Sequence, residues 1–496
     1  MAFAPASLKR NVLVSWGAHG LAIVIGFFLM PYVVRVMGDR TYGTWVFINS
    51  IASYGGLLYF GFGETISRYV AKYQAERKYE RISQIVTLIL AIYLVMGAVA
   101  IAIAGGLCAA APYISSWQGA ELTEVRWTIL VLGLNVAVGM SGSVFGGVLM
   151  GLRRFDLERT VSLSSDLMKL ALVFLFLRQE WGLVTMACIF LAITVVENVA
   201  YLVLACRQLP QLRIRWSLLS REVFHECSSF SSMAFLNAIA YQMTNATDTV
   251  VIGLMMGTDE IVPYYIALRL SQFIKQPIDK IAQICMPAAG ALSNPSERHR
   301  LHRFLIKAYG LVFLLTSGMF LGGWFFGGGV IAAWMGDGYA LSHHILAILL
   351  AAQVIALPCS VIRAFLFGMG EVRVPAFLYL LEAVCNLTAS IVLCHFWGLP
   401  GVAWGTLIPV AVVELGLTLP LGLKLVGLPV RRLWREAIAP QLLPIAALAA
   451  YSWIVAGQIA HVDGWPILIA VTFGGGAVLG SMWWLAGRLL RAPATT

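Results

Sequence analysis

A chain of 496 residues that is 60% hydrophobic, 12% charged and +0.83 in mean hydropathy cannot hide its apolar surface inside an aqueous domain. This excludes a soluble enzyme and predicts an all-α polytopic membrane protein. The net charge of +10 does not point to nucleic acid, because no basic cluster carries interleaved aromatics on a soluble module.

Fourteen membrane spans are predicted, at 12–36, 42–63, 83–110, 126–150, 161–178, 183–205, 229–256, 262–288, 304–334, 343–368, 375–396, 401–423, 439–460 and 466–487. Each is long enough for a hydrocarbon core of about 30 Å at about 1.5 Å rise per residue. The glycine-rich run 322–329 predicts a re-entrant break in the ninth span. With the N-terminus inside, 25 of the 34 lysines and arginines fall in cytoplasmic segments. That asymmetry predicts both termini in the cytoplasm. The first span follows Lys9-Arg10 and is full length, so no cleavable signal peptide is expected. The eight cysteines lie mostly within or at the ends of spans and read as small buried hydrophobes, with no metal site.

Between the second and third spans, residues 64–81 place Ile66, Tyr69, Val70 and Tyr73 opposite Arg68, Lys72 and Lys78. The spacing predicts an amphipathic helix lying at the headgroup surface. The arginine-rich 207–227 segment, with Leu218, Leu219 and Phe224, predicts a second one.

Two stretches about 217 residues apart read as copies of one another. Gly151 opens one and Gly368 the other. Asp166 falls opposite Glu382, Trp181-Gly182-Leu183 opposite Trp397-Gly398-Leu399, and Val195-Val196-Glu197 opposite Val412-Val413-Glu414. An even number of spans per copy gives both the same orientation, the parallel-repeat architecture of transporters. The expected organisation is a six-helix bundle at 1–206, an amphipathic cytoplasmic linker at 207–228, a second bundle at 229–424, and two additional helices at 425–496.

The charges inside the spans are the candidate functional residues, since an ionisable group at membrane depth is costly and faces a polar interior. Span eight carries Arg269, Gln272, Gln276 and Gln283 on one stripe, with Lys275 and Asp279 on its edge and Pro277 as a predicted kink. Span seven offers Asn237, Tyr241, Asn245 and Asp248. Asp248 and Arg269 lie about 12 Å from the turn between them, at about 1.5 Å per residue, and are expected to pair. Equal depth likewise groups Arg363, Glu382 and Glu414 in the second copy, and Lys169 with Glu197 in the first, Asp166 being one turn shallower. Lys275 has no carboxylate at its depth and reads as an unpaired cation. Glu64, beside Arg68, marks a possible entrance. Each acid–base group also has a purely structural reading, two charges neutralising each other.

The opening spans carry Met30-Pro31-Tyr32, Arg35-Val36-Met37-Gly38, Tyr42-Gly43-Thr44-Trp45 and Phe60-Gly61-Phe62-Gly63, running into Ser67-Arg68-Tyr69-Val70-Ala71-Lys72-Tyr73. The second half echoes them with Thr247-Asp248-Thr249, Met256-Gly257, Tyr264-Tyr265-Ile266-Ala267 and Cys285-Met286-Pro287. This pattern resembles the Wzx-type polysaccharide and O-antigen flippases of the multidrug/oligosaccharidyl-lipid/polysaccharide (MOP) exporter superfamily. The resemblance implies two six-helix bundles arranged as a V around a central cavity, like the multidrug exporters, plus a C-terminal helix pair typical of lipid-linked sugar and lipid II flippases.

It also implies a function: moving undecaprenyl-pyrophosphate-linked oligosaccharide units across a bacterial inner membrane for exopolysaccharide or O-antigen synthesis. Arg269, Lys275, Gln272, Gln276, Asn245, Tyr241 and Arg363 would meet the substrate, because guanidinium and ammonium groups suit a diphosphate and amides and phenols suit a glycan. Asp248, Glu382, Glu414 and Glu197 would couple transport to an ion gradient. The expected partners are the lipid-linked oligosaccharide, membrane lipids, and a polysaccharide polymerase with other export proteins. No cofactor and no nucleic acid are expected. A lipid II flippase or a cation-coupled drug exporter is the alternative in the same fold. A membrane glycosyltransferase or polymerase is disfavoured by the short periplasmic loops and the lack of paired catalytic carboxylates, and nucleotide-driven transport by the lack of a GxxxxGK[ST] loop.

Overall fold

The structure, a computed structural model, describes residues 5–114, 117–458 and 464–489. The side chains of 5–16, 18–19, 22, 64, 228–234, 236–237, 295 and 486–489 lie outside that description, and with them those of Glu64 and Asn237. The described residues are almost entirely helical and contain no strand. In chain order the helices are α1 (Pro5–Met37), α2 (Asp39–Ser53), α3 (Phe62–Ala75), α4 (Tyr79–Ile114), α5 (Gly119–Gly151), α6 (Phe155–Phe176), α7 (Gly182–Gln208) and α8 (Arg221–Met255). They continue as α9 (Ile261–Ala291), α10 (Arg298–Met335), α11 (Ala340–Gly368), α12 (Arg373–Val410), α13 (Leu419–Val426), α14 (Val430–Leu433), α15 (Ala439–Gln458) and α16 (Trp465–Leu489).

Each of the fourteen predicted spans overlaps a described helix, and eight described helical stretches are long and apolar enough to cross a membrane on those grounds alone. One of the eight, Arg373–Val426, is 54 residues long and holds two predicted spans. At about 1.5 Å per residue it would far exceed a core of about 30 Å, so the chain must turn back. It does so at Gly398 (φ 63°, ψ −140°). Beyond the turn Gly401 lies against the Leu393 carbonyl and Gly405 against the Ser390 backbone, where any Cβ would collide. The two arms are therefore antiparallel and tightly apposed.

By contacts the chain divides into two compact units, 1–262 and 263–496. The core of the first is built from Ile66 and Val70 of α3, Ile82, Ile85 and Ile89 of α4, Met140, Val144, Phe145, Val148 and Leu149 of α5, and Tyr201 of α7. In the second, α11 supplies Leu357, Val361, Ile362, Phe365 and Leu366, each 217 positions after its α5 counterpart (357 − 140 = 217). The turns repeat as well. Positive φ angles occur at Gly119 and Gly336, at Arg153 and Gly370, and at Trp181 and Gly398, again 217 apart. The duplication read from the charged positions thus extends to core packing and backbone turns.

Four local expectations are corrected. The second span is not one helix: α2 stops at Ser53, a 3-10 turn covers Tyr54–Tyr59, and left-handed Phe60 and Gly61 precede α3. The amphipathic α3 does not turn its apolar face to the headgroups, because Ile66, Tyr69, Val70 and Tyr73 are buried in the unit's own core. The 207–227 segment is irregular apart from a short 3-10 turn at Trp216–Leu218, with helix resuming at Arg221. Pro210, just after α7, cannot donate to a continued helix. Finally, α10 runs unbroken through the 322–329 glycines. Gly323 and Gly327 are there because α11 packs close: a Cβ at Gly323 would strike Leu350, and one at Gly327 would stand 3.0 Å from His343.

Candidate functional site

The second unit gathers the charges. Lys275 and Asp279 come from α9, Arg363 from α11, and Glu382 from the first arm of α12. Glu414 sits in a π-helical stretch, Ala411–Thr418, between α12 and α13. Pro420 explains the wide turn: it has no N–H, and its ring crowds the Gly416 carbonyl four residues earlier. Such turns are frequent at functional sites.

Arg363 forms an ion pair with Glu414, whose side chain is fully buried. The guanidinium also lies over the Tyr379 ring, 5.6 Å from its centroid. Glu382 is 4% exposed and its Oε2 has no hydrogen-bond partner among the described residues. It lies within electrostatic reach of Arg363 and Lys275. One turn along α12, the Asn386 Oδ1 is buried and equally unsatisfied, as is Gln353 Oε1 on α11. Buried polar atoms left without partners cost free energy, so each marks a place where a partner is to be sought.

The expected grouping of Arg363, Glu382 and Glu414 is therefore observed, but with Glu414 as the arginine's ion-pair partner. Lys275 has no ion-pair partner at bonding distance among the described residues, although two carboxylates lie within electrostatic reach of it. Asp279, four residues on along the same helix, and Glu382 both interact with it electrostatically. Arg269 lies over the Tyr265 ring at 5.0 Å and reaches Gln272 Oε1 at 3.5 Å. Gln276 is half-buried, and Lys280 donates to Gln283 at 3.2 Å.

The first unit holds different chemistry. Lys169 pairs with Asp166 at 3.1 Å and lies over Phe190, so the expected Lys169–Glu197 pairing is replaced by one within α6. Glu197 accepts instead from the Tyr201 hydroxyl at 2.9 Å. The position matching Arg363 is Gly146, against which the Tyr201 ring packs. The cation is thus a property of the second copy alone, and duplication does not account for it.

Asp248 is buried at 7% exposure in a polar seam between α2 and α8. Its neighbours Thr247 and Thr249 bond to Tyr54 at 2.6 Å and Ser50 at 2.7 Å, and Gln242 bonds to Ser53. Sequence reasoning missed Ser50, Ser53 and Tyr54, since single hydroxyls in an apolar span carry no periodic signal. Tyr241 is exposed, and the Asn245 amide donates to its own helix backbone. At the other end of α8, Glu226 accepts from the Tyr73 hydroxyl at 2.7 Å and from Lys72 at 3.3 Å, while Glu222 pairs with Arg81 at 3.0 Å. The hydrogen bond to Glu226 holds the Lys72 ammonium above its ordinary pKa, so that contact stays charged at neutral pH.

A duplicated, all-helical, multi-pass chain with carboxylates and cations buried at helix depth belongs among membrane transporters. Residues 8–293 match the family of polysaccharide biosynthesis proteins, and the chain belongs to that family. No curated protein matches it in sequence. Among solved structures, it is similar to the lipid II flippase MurJ in its inward closed conformation, at 15% identity and a TM-score of 0.73, covering 97% of this chain and 100% of that one. An inward-facing multidrug resistance MATE family transporter of the MOP superfamily matches at 17% identity and 0.68, covering 81% and 94%. A MOP superfamily transporter from Pyrococcus furiosus, described by a binding pocket of reverse polarity, matches at 17% and 0.59, covering 85% and 94%. These likenesses establish the fold. The chain thus has the fold of MOP superfamily proteins and belongs to the polysaccharide biosynthesis family, as the resemblance to Wzx-type exporters implies.

Proposed function

We propose that this protein moves undecaprenyl-pyrophosphate-linked oligosaccharide units from the cytoplasmic to the periplasmic leaflet of a bacterial inner membrane, by alternating access, for exopolysaccharide or O-antigen assembly. The observation that supports this reading is the buried Arg363–Glu414 pair, a cation whose first-copy counterpart is Gly146, with Glu382 and Lys275 within electrostatic reach of one another. A lipid diphosphate bears at least two negative charges, and a site whose cations are already held by weaker carboxylate partners exchanges those partners for phosphate on binding. Arg269, with Gln272 and Gln276 near it along α9, extends the same charge and adds amides suited to a glycan.

The reading is tested at two levels. Deletion of the gene leaves lipid-linked repeat units on the cytoplasmic leaflet, detected by accessibility to an added glycan-modifying probe. Arg269→Ala and Lys275→Ala abolish polymer export at near-normal protein abundance, while Arg269→Lys and Lys275→Arg keep part of it. Loss of the folded protein in both alanine variants makes these cations structural and overturns their role.

The full-length likeness to the lipid II flippase favours a second reading, in which the carried lipid bears a peptidoglycan precursor. Rescue of growth in cells depleted of their own lipid II flippase supports that reading over the first.

A further inference from the structure

In the first unit a groove of about 850 Å³ opens between the end of the 3-10 turn, the start of α3, α4 and the start of α8. Among the described residues its walls are apolar, with Phe60, Phe62, Ile92, Met96 and Phe235 among them, and the charged residue lining it is Arg221. The volume falls within the range of about 300–1,000 Å³ typical of small-ligand sites. The described α8 residues lining it, Arg221, Phe224 and Phe235, span about 21 Å at about 1.5 Å per residue. That is somewhat more than one leaflet of a hydrocarbon core about 30 Å thick. The groove thus offers a charged end and an apolar trough of lipid-chain length.

Charge at the mouth is not neutralised by the acids next to it. On a helical wheel Arg221, Phe224 and Phe235 fall on one face of α8, while Glu222 and Glu226 fall on another. Those two acids are already engaged with Arg81, Lys72 and Tyr73. Residues 207–221 contain four arginines, Arg207, Arg213, Arg215 and Arg221, and no acid. All four are exposed. Trp216, Leu219 and Phe224 are exposed beside them, at 60%, 45% and 42%, as interfacial anchors are. An arginine cluster directly beside a spanning helix attracts anionic lipid headgroups.

We propose that this groove binds one anionic phospholipid, its acyl chain laid along α4 and α8 and its phosphodiester held by Arg221 with the neighbouring linker arginines. The 207–221 segment, irregular and rich in exposed arginine, is then anchored by the lipid rather than by a helix of its own. A polyprenyl chain, much longer than one leaflet is deep, would overrun the trough. The site is separate from the charged cluster of the second unit, so it stands whichever lipid-linked sugar is carried.

The test uses the full-length protein purified in detergent and stripped of lipid. Dioleoyl phosphatidylglycerol or dioleoyl phosphatidylcholine is added, and retained lipid is counted by native mass spectrometry. The wild type is expected to keep one phosphatidylglycerol at concentrations where phosphatidylcholine is lost. Arg221→Ala should weaken that retention about tenfold, as loss of one charge-assisted contact requires, and Arg221→Lys should restore part of it. Ala91→Trp, which fills the trough, should abolish it; Met96→Phe replaces that variant if it does not elute as a single species. Equal retention of the two phospholipids by the wild type overturns the proposal. So does retention of phosphatidylglycerol unchanged in both the Arg221→Ala and the groove-filling variant, or its displacement from the wild type by an equal concentration of undecaprenyl diphosphate.

Discussion

At the scale of residues, the Arg363–Glu414 pair is where structure and function separate most cleanly. Glu414 is fully buried and Arg363 nearly so, at 0% and 15% side-chain exposure. Removing one partner strands a charge, whereas replacing both with apolar groups need not destabilise the fold. Glu414→Gln is therefore expected to cost about 3–5 kcal/mol, read as a lower melting midpoint of the purified protein. Arg363→Met combined with Glu414→Leu should recover most of that loss while leaving transport dead. A Glu414→Gln protein that melts like the wild type refutes the pairing. Counting depth from the turns was enough to gather Arg363, Glu382 and Glu414 from sequence, because helical rise is fixed. Which acid takes the arginine was not legible. That choice depends on the π turn, which rotates Glu414 away from the direction a 3.6-residue period assigns it. Lys169 was misassigned for a simpler reason: its partner, Asp166, stands three residues earlier on its own helix.

At the scale of elements, the errors cluster where glycine or an amphipathic pattern has two physical explanations. A glycine run in an apolar span signals either a break or a close helix approach, and only the facing helix decides. In α10 the facing residues Leu350 and His343 make it a packing surface. Gly323→Val should then destabilise by about 1–3 kcal/mol through overpacking against Leu350. Gly322, with nothing within 4 Å of its Cβ position, should accept Ala and gain up to about 1 kcal/mol from helix propensity. Thermal melting of the two variants checks both, and equal destabilisation would mean that this stretch is not helical. The same ambiguity misplaced α3. Its apolar stripe was read correctly, but a stripe does not say whether lipid or protein covers it, and here α4, α5 and α8 do.

At the scale of the whole molecule, the most legible feature was the duplication, because a repeat is written into core positions, turns and charges at once. Its even number of spans per copy, together with the basic-residue count, predicts both termini and the 64–81 and 207–227 segments on the cytoplasmic side. Single cysteines introduced there into a cysteine-free background should resist a membrane-impermeant thiol reagent in intact cells and react after permeabilisation. A C-terminus labelled from outside would mean an odd number of crossings.

The duplication also frames the energy source, since the two copies have diverged in their buried carboxylates. Glu414 in the second is held by Arg363, which leaves it little freedom to exchange a proton without breaking an ion pair. Glu197 in the first is half-exposed and bonded to a tyrosine. Asp248 is buried in the α2–α8 seam between two threonines that bond across it, to Tyr54 and Ser50. Taking up and releasing a proton, it would tie substrate movement to the gradient, because a buried acid must find a counter-charge or be neutralised. Asp248→Asn mimics the neutral form permanently. In reconstituted vesicles it is expected to bind the lipid-linked substrate normally, yet to lose the acceleration that an imposed pH gradient gives the wild type. Retained acceleration in that variant would remove Asp248 as the proton carrier and shift the role to Glu382, the remaining buried carboxylate with an unsatisfied oxygen and no ion-pair partner at bonding distance among the described residues.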